Sequence, residues 1–251
     1  MRKFYGKNEL TFAIVWIVIY CVLQSLANPL NEKIGIEYSA SAVFGILQTI
    51  ILLSFIWKND LLEQYGFCKT FVPARRFLYY VPLLMIATGN LWNGVAVSYS
   101  LLDMVCHIVC MLCVGFIEEL IFRGFLFKAI AKDNLKSAVI ISSVTFGMGH
   151  LINLFNGSGM DLANNLCQIC FAVAVGFLFV TIFYRGGSLL PCVITHSAVN
   201  TLSAFANKAG FTVEKQMLHG LVMTLIAAAY TLILTKTLPK TQNLNRDDAE
   251  P

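Results

Sequence analysis

Charge is what this sequence has least of. Of its 251 residues only 13% are Asp, Glu, Lys or Arg, while 57% are apolar. A soluble domain normally carries about 25% charged and 45–50% apolar residues. The mean hydropathy of +0.71 points the same way, and a soluble globular fold is excluded. The net charge of +4 is too small to call for nucleic acid. There is no polar stretch long enough for a second domain, no internal repeat, and no His-Glu-x-x-His zinc motif. The first apolar run, residues 10–27, is too long for the core of a signal peptide and lacks an A-x-A-like cleavage site, so it reads as a span. A disulfide framework is also missing. Cys21, Cys106, Cys110, Cys113, Cys167, Cys170 and Cys192 lie within apolar runs. The Cys110-x-x-Cys113 and Cys167-x-x-Cys170 spacings on such helices suit small packing residues better than metal or redox sites.

What is present is a series of apolar runs of roughly 20 residues, enough for a helix to cross about 30 Å of hydrocarbon. They predict an all-α, polytopic membrane protein with eight spans, at residues 10–27, 39–57, 77–97, 99–127, 137–155, 162–184, 188–206 and 216–238. The third is interrupted by Asn90, Asn93 and Gly94, and the seventh carries Pro191 in its first turn. A single transmembrane domain over residues 1–240 is expected, followed by a polar, disordered tail at 241–251. With the N-terminus in the cytoplasm, all 18 Lys and Arg residues except Lys33, Lys208 and Lys215 fall on the inner side. That asymmetry is the positive-inside signature, and it puts both termini in the cytoplasm. Short loops and small size suggest a bacterial plasma membrane.

Ionisable residues inside a span cost several kcal/mol unless paired or hydrated, so by default they mark function. Here they gather in three places: Glu118, Glu119 and Arg123 late in the fourth span, His150 in the fifth, and His196 with Asn200 in the seventh. Glu119 and Arg123 are one helical turn apart and suit a structural ion pair. Glu118 points about 100° away and has no such local partner. A carboxylate without a charged neighbour in a low-dielectric site suits a general base near neutral pH, although a protonated packing role is the plainer alternative. His150 follows Gly147 and Gly149, which would allow close approach of another helix or of a substrate. His196 and Asn200 share a face and offer two donors to one spot, as an oxyanion site requires. At 1.5 Å per residue, Glu118, His150 and His196 fall within roughly 6–8 Å of a common mid-membrane plane. His107, Asp103, His219, Gln24, Gln48, Asn164, Asn165 and Gln168 read as span-end or interhelical hydrogen-bonding residues.

These residues resemble the motifs of the CPBP family of intramembrane proteases (CAAX-processing and bacteriocin-processing, or Abi). Glu118-Glu119-x-x-x-Arg123 is similar to its first motif, Phe146-x-x-x-His150 to its second, and His196-x-x-x-Asn200 to its third. Each motif alone is weak, but three in order on separate spans are specific. They fix a motif-bearing core at about residues 99–206, leaving 1–98 as additional helices. The resemblance implies a CAAX-protease-like helical bundle that hydrolyses a peptide bond in a membrane-associated or lipidated peptide or protein. Glu118 would activate water with help from His150, His196 and Asn200 would stabilise the oxyanion, and Glu119, Arg123 and Phe146 would support them. No cofactor is expected on this reading. Zinc held by Glu118, His150 and His196 is the metal alternative. Two other functions compete: a non-catalytic scaffold or immunity protein that binds a sensor kinase or bacteriocin target, and a small-solute transporter.

The charge asymmetry makes a direct prediction. Cysteine-accessibility labelling at the two chain ends should find both on the cytoplasmic side, and labelling of either end from outside intact cells would contradict the orientation.

Overall fold

The computed structural model describes residues 1–154 and 162–239. The expected tail at 241–251 and the end of the fifth span at residue 155 lie outside the described residues. Among those residues the chain forms α1 (Arg2–Lys7), α2 (Glu9–Ile34), α3 (Ser39–Lys58), α4 (Val81–Ala87), α5 (Leu101–Glu119), α6 (Lys128–Ala131), α7 (Leu135–Gly149), α8 (Leu162–Gly186), α9 (Leu190–Leu202) and α10 (Val213–Thr237). Several starts are read directly from capping residues. The side chains of Asn8, Ser100, Asn134 and Thr212 accept from the backbone N–H three residues on and open α2, α5, α7 and α10, satisfying a donor that the first turn leaves unpaired.

The all-α membrane architecture is as expected; the count of about eight spans is not matched by helices of crossing length among the described residues. Among the described residues six helices are long and apolar enough to cross a bilayer: Glu9–Ile34, Ser39–Lys58, Leu101–Ala131, Leu135–Leu154, Leu162–Gly186 and Val213–Thr237. The third expected span, 77–97, breaks at both ends. Leu78, Tyr79 and Tyr80 take positive φ values of 50°, 51° and 60°, and only the 7-residue α4 follows before Asn90, Asn93 and Gly94 end it. The seventh, 188–206, is reduced to α9, whose 13 residues span only about 20 Å. Pro191 does sit in its first turn. Part of the apolar content of these two stretches packs among the long helices: Leu83, Ile86, Leu189 and Cys192 belong to one core cluster with residues of α8 and α10.

α5 packs against α3 and α9, and α8 lies between α7 and α10. α5 runs on without interruption through a π-wound segment, Leu120–Phe127, into α6. Every residue of that segment is buried. A π turn widens the helix and alters its hydrogen-bond ladder. Here the Ser142 hydroxyl of α7 donates to the Phe122 carbonyl at 2.8 Å, tying the unusual turn to its neighbour. α9 is held by Asn90, whose side-chain amide donates to the Val199 carbonyl at 2.7 Å. The interrupting asparagine is therefore a brace for the short helix.

The approach of α9 to α5 depends on Gly115. A Cβ there would lie 2.7 Å from the Ser197 backbone nitrogen and 2.9 Å from its Cα, contacts that only a shift of a whole helix could relieve. This closeness sets His196 beside the two glutamates one turn further along α5. Gly115→Val should therefore lower thermal stability in detergent by about 1–3 kcal/mol. A variant with an unchanged melting temperature would show that the two helices can part without cost.

Candidate functional site

The site is organised around one buried carboxylate. Glu119 Oε1 lies 3.0 Å from Arg123 Nη1, and both side chains are 0% exposed. The same oxygen is 2.8 Å from His196 Nδ1. Arg123 is held by aromatic rings as well, its guanidinium carbon 3.9 Å from the Phe146 ring centroid and 5.5 Å from that of Phe179. A guanidinium removed from water is stabilised by such π faces. The expected Glu119–Arg123 pair is thus formed, and it has a third member from α9.

Phe146 stands between the charged cluster and the histidines. Its ring centroid is 5.7 Å from that of His196 and 5.8 Å from that of His150, both edge-on. His150 follows the last turn of α7, and its carbonyl accepts from the Asn165 side chain at 2.9 Å. Gly147, three residues before it, permits the approach of α8: a Cβ there would meet the Val173 nitrogen at 2.9 Å and the Ile169 carbonyl at 3.1 Å. Gly149 meets nothing within 4 Å, so of the two glycines preceding His150 only Gly147 acts in helix packing. His150 lies within electrostatic reach of Glu118, His196 and Arg123.

Glu118 diverges from Glu119 as the helical angle requires, but it is not left without partners. Tyr20 of α2 donates its hydroxyl to Glu118 Oε1 at 2.5 Å. The other oxygen, Oε2, faces His196 Nε2 at 3.6 Å, beyond direct hydrogen-bond range. His196 therefore stands between the two glutamates, one ring nitrogen toward each. With Glu119 ionised, Nδ1 carries the proton that it shares with that carboxylate, which leaves Nε2 free to serve as acceptor in the neutral ring or donor in the cation.

His150, His196, Asn200 and Phe146 line a cavity of about 420 Å³. Its other walls include Met111, Phe171, Phe179 and Met223, with Asn90, Gln168, Gln216 and His219 among the polar groups. Among the described residues none of its lining side chains is Asp, Glu, Lys or Arg. Glu118 is not part of this lining; its side chain, 12% exposed, lies behind His196 on the α2 side.

Sequence reasoning missed Tyr20, because a tyrosine in an apolar helix 98 residues away carries no local signal. It also undervalued His107 and His219. His107 Nε2 is 3.0 Å from Ser203 Oγ, and Ser203 in turn donates to the Asn200 carbonyl at 2.5 Å, which braces the end of α9. His219 lines the cavity with Nε2 3.1 Å from the Gly89 carbonyl. Asn165 and Gln168 do make the expected interhelical bonds, Gln168 accepting from Asn153 at 3.0 Å. The cysteines are free thiols.

A zinc centre would require three donors converging at about 2.0–2.2 Å from one point. Among the described residues no group of three His, Cys, Asp or Glu side chains is disposed to hold a metal ion. Glu118, His150 and His196 are therefore not gathered into a three-ligand set in this arrangement.

The site thus brings carboxylate, imidazole, guanidinium and amide side chains of several apolar helices together beside a cavity. Residues 100–202 match the Rce1-like family, described as type II CAAX prenyl endopeptidase Rce1-like. That segment holds all three motifs, and its match agrees with the CAAX-protease (CPBP) resemblance they carry; the long apolar helices among the described residues are those of an integral membrane protein. No curated protein and no solved structure matches it.

The buried Glu119–Arg123 pair makes a thermodynamic prediction. Removing one partner of a buried pair leaves an uncompensated charge, so Arg123→Met should cost about 3–5 kcal/mol. Adding Glu119→Gln to it should recover part of that loss in detergent melting experiments. A double variant no more stable than Arg123→Met would show that the pair is not the source of the cost.

Proposed function

We propose that the chain hydrolyses a peptide bond in a membrane-associated or lipidated peptide or protein, using water activated by Glu118. The observation that carries this reading is the position of His196. Its ring borders the cavity that His150 and Asn200 also line, and its nitrogens face both glutamates. A substrate carbonyl in that cavity would lie beside His196 and Asn200. Glu118 Oε2 takes a proton from water, with His150 assisting, and the hydroxide oxygen adds to the carbonyl carbon. Negative charge moves to the carbonyl oxygen, where the Asn200 amide and the Nε2–H of the His196 imidazolium, the cation whose Nδ1–H faces Glu119, donate to it. Collapse of the tetrahedral intermediate breaks the C–N bond. The proton gained by Glu118 passes to the leaving nitrogen, so the carboxylate is regenerated.

Glu119 and Arg123 do not touch substrate in this scheme. They hold His196 in orientation, the task a buried carboxylate performs for the histidine of other hydrolases, and Phe146 keeps Arg123 and both histidines in register. The uncharged cavity favours an apolar segment with neutral side chains. The distribution of basic residues supports a cytoplasmic location for both termini, and the short loops support a bacterial plasma membrane. A single transmembrane domain up to about residue 240, with its catalytic core at about 99–206, accommodates this chemistry.

The test is mass spectrometry of peptide termini in cells that express wild type or Glu118→Gln at equal membrane levels. Termini that appear with wild type and fall by about 100-fold or more in the variant are expected, and they persist when zinc is chelated. Identical terminal profiles would overturn the hydrolase reading. Loss of the termini on chelation, with recovery on added zinc, would overturn the metal-free step.

A further inference from the structure

The hydrogen bond from Tyr20 comes from a helix that lies wholly outside the matched region of 100–202, yet it ends on the side chain proposed as the base. We infer that Tyr20 is a positioning residue for Glu118, so that α2 completes the catalytic site rather than serving only as a membrane anchor. The inference rests on the proposed role of Glu118 and adds to it the group that fixes that carboxylate.

Three features of the structure support it. Glu119 Oε1 has both Arg123 and His196, while Glu118 Oε1 has the Tyr20 hydroxyl at 2.5 Å. The Glu118 carboxylate therefore owes its orientation to a neutral donor. With Oε1 held, rotation about the terminal bond is stopped and Oε2 is directed to the His196 side. A freely turning carboxylate would present either oxygen, and a base acts only when its acceptor lone pair meets the water proton.

Tyr20 is itself immobile. It is 9% exposed and belongs to a core cluster with Phe12, Trp16, Ile117 and Ile121. α2 also packs on the π-wound segment Leu120–Phe127 that follows the glutamates. The hydroxyl is thus delivered from a buried ring on a helix docked to the segment that directly follows its acceptor. A phenol also leaves the base uncharged on that side. A lysine or arginine there would form an ion pair and compete with water for the carboxylate's lone pairs.

Tyr20→Phe removes only the donor and keeps the ring. The assay uses the purified full-length chain and a quenched-fluorescent peptide built around the cellular cut that depends most on Glu118. The expected result is a kcat lowered by about 10- to 100-fold, with KM within about twofold and melting temperature close to wild type. A purely structural role would change KM, melting temperature or yield along with kcat. If Tyr20→Phe does not accumulate, Tyr20→His restores a ring N–H donor and should keep more than about a tenth of the wild-type kcat. Loss as deep as that of Glu118→Gln in this variant would overturn the inference, as would an unchanged kcat in Tyr20→Phe. If Glu118→Gln cleaves like wild type, the reading of Glu118 as base fails. If Glu118→Gln is inactive while Tyr20→Phe is not impaired, only the role of Tyr20 fails.

Discussion

The buried carboxylate of Glu119 is the interaction on which the rest of the site depends. It lies among apolar helices with 0% of its side chain exposed, where an isolated ion would be prohibitively expensive. Arg123 from the next turn and His196 from α9 meet it at the same oxygen, and Phe146 closes over the guanidinium. The positions of these four residues are thus coupled, since none can move without leaving a charge or a donor unsatisfied. Because α5, α7 and α9 each supply a member, the cluster also fixes how those helices sit against one another.

Local backbone features make this convergence possible. Gly115 lets the backbone of α9 come close enough to α5 for His196 to reach Glu119. Gly147 does the same for α8 against α7, just before His150. The π-wound segment from Leu120 to Phe127 absorbs an irregular turn within a buried helix, and Ser142 donates to its Phe122 carbonyl. Such deviations cost stability on their own. They are retained here where the polar side chains must be aimed, a pattern common at functional sites.

The two proposed roles for carboxylates follow from the different company they keep. Glu119 meets a charged donor and a ring donor at one oxygen, Oε1, and is the proposed anchor. Glu118 has a neutral phenol on one oxygen and a histidine nitrogen just beyond hydrogen-bond distance from the other. Its Oε2 keeps acceptor capacity on the His196 side, where a general base requires it. Adjacent residues in one helix are separated in function because the 100° step between them sends one toward α9 and Arg123 and the other toward α2.

The membrane class, the helical fold, the three motif positions and the Glu119–Arg123 pair were legible in the sequence. Hydropathy runs of span length and i,i+4 spacing are local properties that a linear chain displays openly. The number of long spans was not legible. Residues 77–97 and 188–206 are apolar enough to read as spans yet hold only the short helices α4 and α9, and composition alone does not show where a helix breaks. Tertiary structure alone decided that His196 stands between both glutamates, that Asn90 braces α9 and that Tyr20 reaches Glu118. Each of these depends on the approach of helices distant in the chain, and that approach is set by close packing at Gly115 and by the need to pair a buried charge.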